Sequence, residues 1–175
     1  MPAFRPIGER LARSLIPADI LLMPALIHDL ADEKAAAAFG AKLATALKPG
    51  AVICLDGPLG AGKTTVSRGL IQAYAGAREV PSPTFTLVEI YEGPQGALWH
   101  FDLYRLEKPQ DLWELGVEEA LEVGIVLVEW PDRAAGILPQ DALSISFEIL
   151  ENDTRRVTLK APETWREPLQ AAGIA

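Results

Sequence analysis

The clearest chemistry in this sequence belongs to a glycine-rich segment between an apolar run and a helical pattern. Residues 57–64 have the sequence GPLGAGKT, which matches G-x-x-x-x-G-K-[ST], and the apolar residues 51–55 come directly before them. In such a loop the backbone N–H groups surround phosphate oxygens, the lysine reaches the β- and γ-phosphates, and the hydroxyl ligates Mg²⁺. The sequence therefore predicts a P-loop that binds a nucleoside triphosphate through Lys63 and Thr64.

Two carboxylates could complete a site around this loop. Asp102 follows the apolar segment 98–101, and Glu129 follows the apolar segment 125–128. Ligands bind at the carboxyl ends of parallel strands, and triphosphate hydrolysis needs metal ligands and a group that positions water. We expect both acids to face the nucleotide and Mg²⁺; the pattern does not decide which of them orients the water.

For three other candidate residues, the sequence alone allows two interpretations of the role. Thr84 lies in the rigid segment Ser82-Pro83-Thr84, which is either a switch loop against the γ-phosphate or a plain turn. Trp130 either packs beside the nucleotide or fills a gap in the core. His100 shares a strand face with Asp102, and a structural role is favoured for it over a catalytic one.

The sequence does not identify an arginine finger, which is an arginine that accelerates hydrolysis by stabilising the transition state. Arg68, Arg105 and Arg133 are candidates by position, and structural roles are favoured for the first two. Because such an arginine raises turnover by orders of magnitude, we expect slow intrinsic hydrolysis that a partner stimulates.

Length, composition and charge narrow the class of protein. A chain of 175 residues with 49% hydrophobic content is typical of one domain, and the single cysteine excludes an intrachain disulfide. A net charge of −8 without a basic run disfavours direct binding to nucleic acid. No apolar run approaches the roughly 20 residues of a membrane span, so we expect a cytoplasmic protein without a membrane partner.

The order of patterns predicts an α/β fold. We expect a single P-loop NTPase-like domain over residues 21–161, with a central, mostly parallel sheet flanked by helices and extended by antiparallel strands. A loosely ordered extension over 1–20 precedes it, and a C-terminal tail over 162–175 follows. The predicted elements are a strand over 21–27, a helix from Asp32 to 47, the helix after the P-loop, hairpins over 85–101 and 142–161, short helices over 110–115 and 117–121, and a buried strand over 125–128.

Four sequence blocks together resemble one family. They are GPLGAGKTT at 57–65, SPTFTLVE at 82–89, HFDLYRL at 100–106 and VEWP at 128–131. The set is similar to the TsaE family, also called YjeE. The resemblance implies a Mg²⁺-dependent ATPase required for threonylcarbamoyladenosine at position 37 of tRNA, working with TsaD and TsaB proteins. It also implies that tRNA is contacted only indirectly, through that complex.

The resemblance also assigns roles to individual residues. It implies that Lys63, Thr84, Asp102 and Glu129 are catalytic, and that Thr64, Glu129 and Asp102 surround Mg²⁺. It places Trp130 near the nucleotide, and Glu33 and Asp153 on the adenine side. Ala36 and Ala37 occupy a stretch where the family often has a threonine. The nucleotide-binding residues that it implies are Leu59, Gly60, Ala61, Gly62, Lys63, Thr64, Thr65, Trp130, Glu33 and Asp153.

Two other function classes compete with an ATPase. A small-molecule kinase of this length would close an arginine-bearing lid over the phosphates, and Arg155-Arg156 is the only arginine pair. A binding module would use ATP only to set its docking state, with incidental turnover. A GTPase is disfavoured because the chain contains no N-K-x-D motif.

Overall fold

Seven strands and four α-helices make up residues 22–134 and 136–175, the part of the chain that a computed structural model describes. The extension predicted over 1–20 lies outside the described residues. The strands are β1 (Leu26–Leu30), β2 (Val52–Asp56), β3 (Val88–Gly93), β4 (Gly96–Asp102), β5 (Ile125–Glu129), β6 (Leu143–Ile149) and β7 (Arg155–Lys160). The helices are α1 (Glu33–Ala44), α2 (Lys63–Ala75), α3 (Val117–Val123) and α4 (Arg166–Ala171), with short 3₁₀ turns at Pro109–Trp113, Pro131–Ala134 and Glu163–Trp165.

The strands form one sheet in the order β1-β7-β6-β2-β5-β4-β3. The four inner strands β6, β2, β5 and β4 are parallel, while β3 pairs antiparallel with β4, and β7 pairs antiparallel with β6 and β1. Strands β2 and β5 are almost wholly buried, which explains their unbroken apolar sequences. The predicted α/β fold, with a parallel centre and added antiparallel strands, is confirmed.

Apolar residues of the sheet divide between its two faces and build two clusters. Ile53 and Leu127 join a cluster with α1, α2 and the C-terminal residues, whereas Cys54 and Val128 join one with α3 and the neighbouring turns. This follows from the alternation of side chains along a strand. The tail from residue 162 contributes Trp165, Leu169 and Ile174 to the first cluster. Among the described residues, no helix has the length and apolar character needed to span a membrane.

The close packing of α1 on α2 fixes the helix that follows the P-loop. A Cβ atom at Gly40 would lie 2.1 Å from the Val66 carbonyl oxygen, and one at Gly69 would lie 2.2 Å from the Ala37 carbonyl oxygen. Because no side chain fits at either contact, glycine lets the two backbones touch. The Asp32 carboxylate caps α1 by accepting a hydrogen bond of 2.7 Å from the Ala35 N–H.

The predicted starting residues of two strands are wrong. The strand predicted over 21–27 begins at Leu26, because Pro24 lacks the N–H that a ladder needs; Leu22 makes only an isolated bridge to Pro162. The first hairpin begins at Val88, three residues after its predicted start at residue 85. The cause is Leu87, whose positive φ of 65° interrupts the extended backbone.

Candidate functional site

The P-loop leaves the start of α2 open to an anion. Gly60 and Gly62 have φ values of 78° and 100°, which favour glycine. Gly62 is the N-cap of α2 and supplies no side-chain hydrogen bond there, whereas Asp32 supplies one to α1. The first N–H groups of a helix have no intrahelical acceptor. The loop therefore presents them to a ligand in the manner of a phosphate site.

One cleft of about 270 Å³ lies over this loop. It brings together every residue of the predicted site except Asp153, and it adds Tyr104. The lining residues are Glu33, Leu59, Gly60, Ala61, Gly62, Lys63, Thr64, Thr65, Thr84, Asp102, Tyr104, Glu129 and Trp130.

Glu129 is held by three side chains in the floor of the cleft. Its Oε1 accepts hydrogen bonds from Ser67 Oγ at 2.8 Å and from His100 Nε2 at 3.0 Å. Its Oε2 accepts one from Thr64 Oγ1 at 2.9 Å. Burial acts to raise the pKa of Glu129, but the hydrogen bond and charge of His100, with the hydroxyls of Ser67 and Thr64, outweigh it and leave the pKa lowered. Glu129 is therefore a buried carboxylate.

Asp102 is tied to the predicted switch loop. Its Oδ2 accepts a hydrogen bond of 2.8 Å from Thr84 Oγ1 and a longer one of 3.4 Å from Ser82 Oγ, while the Tyr104 N–H bonds Oδ1 at 3.1 Å. Asp102 pairs with Glu129 across β4 and β5, so the ends of two parallel strands bring the two acids to one edge of the sheet. This is the arrangement that the sequence predicts.

Lys63 is folded back onto its own loop. Its Nζ donates to the carbonyl oxygens of Gly57 and Pro58 at 2.6 and 2.8 Å. The same Nζ lies 3.8 Å from the centroid of a Trp130 ring. Burial lowers the pKa of Lys63, while nearby carboxylates, chief among them Glu129, act in the opposite direction.

The two residues expected on the adenine side have different positions. Glu33 begins α1 and lines the cleft. Asp153 lies in the β6–β7 turn with φ of 59° and its side chain 96% exposed, beside Arg155 and outside the cleft lining. Arg155, the first residue of β7, contacts the P-loop, with its Nη2 3.4 Å from the Gly60 carbonyl oxygen. A nucleotide contact of Asp153 stays a prediction.

None of the three candidate finger arginines lines the cleft. Arg68 donates to the Val80 carbonyl oxygen at 3.3 Å, and Arg105 stacks on the exposed Phe85 ring at 4.3 Å. Arg133 belongs to the 3₁₀ turn Pro131–Ala134.

Sequence reasoning did not find the contacts of Ser67, Tyr104 and His100. Ser67 lies four residues after Lys63, so one turn of α2 places it on the same helix face. Tyr104 lies two residues after Asp102 and packs its ring 5.0 Å from that of Trp130. For His100, the shared strand face with Asp102 was a signal, but its partner Glu129 belongs to the neighbouring strand.

The donor set of the cleft fits Mg²⁺. Thr64 and Glu129 offer a hydroxyl and a carboxylate, which are hard oxygen ligands. Within residues 22–134 and 136–175 there is no group of three or more histidines, cysteines or acids that could hold a metal alone. Mg²⁺ usually keeps several waters and uses one or two protein oxygens together with substrate phosphates. The cleft therefore fits a metal that arrives with a phosphate ligand.

Known proteins are similar to this chain in sequence. Residues 30–157 match the family described as Threonylcarbamoyl adenosine biosynthesis protein TsaE. The chain is 36% identical to the tRNA threonylcarbamoyladenosine biosynthesis protein TsaE of Rickettsia typhi, covering 77% of this chain and 94% of that protein. It is 40% identical to the protein of the same name from Bacillus subtilis, covering 69% and 77%.

A solved structure agrees with the sequence comparison. The crystal structure of Bacillus subtilis YdiB superposes with a TM-score of 0.68 at 27% identity, covering 86% of this chain and 95% of that one. Its P-loop NTPase-like fold is the fold described above. Since the family match covers most of the chain and the relatives match over most of their length, this chain belongs to the TsaE family.

Proposed function

We propose that this chain is a Mg²⁺-dependent ATPase that acts in forming threonylcarbamoyladenosine at position 37 of tRNA. The observation that carries the proposal is the convergence of Lys63 and Thr64 with Glu129 and the Thr84–Asp102 pair in one cleft. Partners of the TsaD and TsaB type hold the tRNA, and this chain meets it only through them. The net charge of −8 supports that division of labour.

Four residues of the cleft have a task in such a reaction. Lys63 leaves the carbonyls of Gly57 and Pro58 and binds phosphate oxygens, with the start of α2 as the second anion contact. Thr64 and Glu129 hold Mg²⁺, which neutralises charge on the phosphates when it is bound. Asp102 orients the attacking water.

Thr84 links its own loop to the water that Asp102 orients. Its hydroxyl donates to Asp102 Oδ2 in this structure. A hydroxyl has one proton and two lone pairs, so Thr84 can donate to Asp102 and at the same time accept a hydrogen bond from the water that attacks the γ-phosphate. The loop then reports on the γ-phosphate, as switch loops of nucleotide hydrolases do.

The arginine pair that would favour a kinase is not placed as a lid. Arg156 makes a two-pronged ion pair with Asp29 on β1, with distances of 2.7 and 2.9 Å. Of the pair, Arg155 contacts the P-loop at the Gly60 carbonyl oxygen, and neither arginine lines the cleft. This favours hydrolysis over transfer to a small molecule.

Reconstituted tRNA modification tests the proposed function. Purified TsaD and TsaB proteins, an unmodified tRNA, a threonylcarbamoyl donor and ATP are combined with and without this chain. We expect multiple rounds of modification only with the chain, and release of phosphate from ATP in the same reaction. Multiple rounds that proceed equally well without the chain would refute the proposal.

Nucleotide binding should change the fluorescence of Trp130. Lys63 Nζ lies over the ring in this structure and must leave it to reach the phosphates, so the charge beside the indole changes. The measurement is a titration of tryptophan emission with ATP and Mg²⁺. The signal should vanish in Trp130→Phe and persist in Trp113→Phe, whose indole is outside the cleft lining. A signal that survives Trp130→Phe would contradict the expected movement.

A further inference from the structure

The contact between His100 and Glu129 lies in the floor of the cleft, and the proposed function does not use it. His100 lies on β4 and is fully buried. Its Nε2 is 3.0 Å from Glu129 Oε1, and its Nδ1 has no hydrogen-bond partner among the described residues. A buried polar atom without a partner is costly, and an apolar residue would avoid that cost. The histidine is therefore a poor choice for packing alone.

Hydrogen-bond chemistry fixes the direction of this contact. A carboxylate oxygen only accepts, so Nε2 donates, whether the ring is neutral or charged. Ser67 Oγ also reaches Glu129 Oε1, but it lies 3.0 Å from the Lys63 carbonyl oxygen as well, and its single proton can serve only one of them. His100 is thus the donor to Oε1 for which no second acceptor competes.

The two oxygens of Glu129 have different surroundings as a result. Oε1 is bound on the buried side by His100 and Ser67, whereas Oε2 meets Thr64, which lines the cleft. Fixing Oε1 leaves the carboxylate one orientation, with Oε2 at the cleft. Without the Nε2 donor, the carboxylate can turn about its last side-chain bond.

We propose that His100 is a positioning residue that holds the Glu129 carboxylate in the orientation that binds Mg²⁺ beside a nucleotide. This inference rests on the proposed function, since it takes Glu129 as a metal ligand. His100 touches neither nucleotide nor metal. Hydrogen bonds from such outer partners orient metal ligands, and their loss costs about 10- to 100-fold in metal affinity.

The test compares nucleotide affinity with and without metal. Calorimetry gives the Kd for a non-hydrolysable ATP analogue in Mg²⁺ and in EDTA. In His100→Leu we expect the gain from Mg²⁺ to fall about tenfold, while the affinity in EDTA stays within about twofold of wild type. His100→Gln restores the gain, because its amide nitrogen is as many bonds from Cβ as Nε2 is. His100→Asn keeps polarity but is too short, and it behaves like His100→Leu.

A spectroscopic measurement tests the contact without any substitution at His100. The chain has two histidines, His28 and His100, so their imidazole resonances can be assigned with His28→Gln. We expect a slowly exchanging Nε2–H signal from His100 that shifts when Mg²⁺ and the analogue are added together, and not with the analogue in EDTA. His28→Gln is also the matched control for binding. The Nε2 of His28 contacts the Ile174 carbonyl oxygen, and His28 is not among the residues that line the cleft.

The outcomes separate this inference from the proposed function. An unchanged Mg²⁺ gain in folded His100→Leu or His100→Asn, or a His100 signal that ignores the metal, overturns the positioning role alone. A folded His100→Gln without rescue does the same. If the wild-type protein gains no affinity from Mg²⁺ at all, both the positioning role and the metal-dependent ATPase fail.

Discussion

Replacing Lys63 by methionine is expected to weaken ATP binding about 100-fold and to reduce hydrolysis to background. Lys63 is the one cationic side chain among the residues that line the cleft, and two charged hydrogen bonds to phosphate are worth about 3 kcal/mol together. The measurements are the Kd for ATP with Mg²⁺ and the rate of phosphate release. The matched control is Lys42→Met, an exposed lysine in the last turn of α1, which should leave both unchanged.

The same substitution should leave the stability of the fold nearly intact. Burial lowers the pKa of Lys63, which means that the site disfavours its charge when no phosphate is present. Methionine places an unbranched apolar side chain at this buried position, and the carbonyls of Gly57 and Pro58 are on partly or fully exposed residues that water can reach. We expect the free energy of unfolding to change by less than about 1 kcal/mol. A variant that loses both ATP binding and several kcal/mol of stability would show that Lys63 is structural.

The parts of this molecule that were predictable from sequence are those set by local spacing. The P-loop is a continuous pattern, and Asp102 and Glu129 each follow an apolar run that is long enough for one buried strand. Once two such strands are parallel neighbours, their ends meet, so the shared edge followed from the pattern. The residues 57–65 needed no tertiary information to be placed at the start of a helix.

The remaining features depend on contacts between distant segments. His100 and Glu129 are 29 residues apart, and only the pairing of β4 with β5 brings His100 Nε2 to the carboxylate. The end of the second hairpin is another case, because Arg155 at the start of β7 contacts the Gly60 carbonyl oxygen, whereas the Asp153 side chain is 96% exposed and outside the cleft lining. Side-chain direction in a turn depends on φ values such as the 59° of Asp153, which spacing does not reveal.

Glu129→Gln should abolish turnover while keeping the fold and metal-free nucleotide binding. Glutamine can satisfy the same neighbours: its oxygen accepts from His100 and Ser67, and its amide donates to the Thr64 hydroxyl. What disappears is the negative charge beside Mg²⁺. We expect phosphate release to fall at least about 100-fold, about 2.7 kcal/mol of barrier, with the Kd for ATP in EDTA unchanged. The matched control is Glu122→Gln on the exposed face of α3.

The effect of Glu129→Gln on tRNA modification decides whether turnover is the function. If hydrolysis drives repeated rounds, the reconstituted reaction should stop after roughly one round per complex, although the variant still binds ATP and its partners. A binding module needs only the bound nucleotide, so it would give wild-type yields with the variant. Since the substitution preserves the hydrogen bonds around residue 129, a loss of modification cannot be assigned to unfolding if the melting temperature stays within about 3 °C of wild type. Undiminished modification with hydrolysis abolished would leave the cleft as a nucleotide sensor and remove the ATPase from the proposed function.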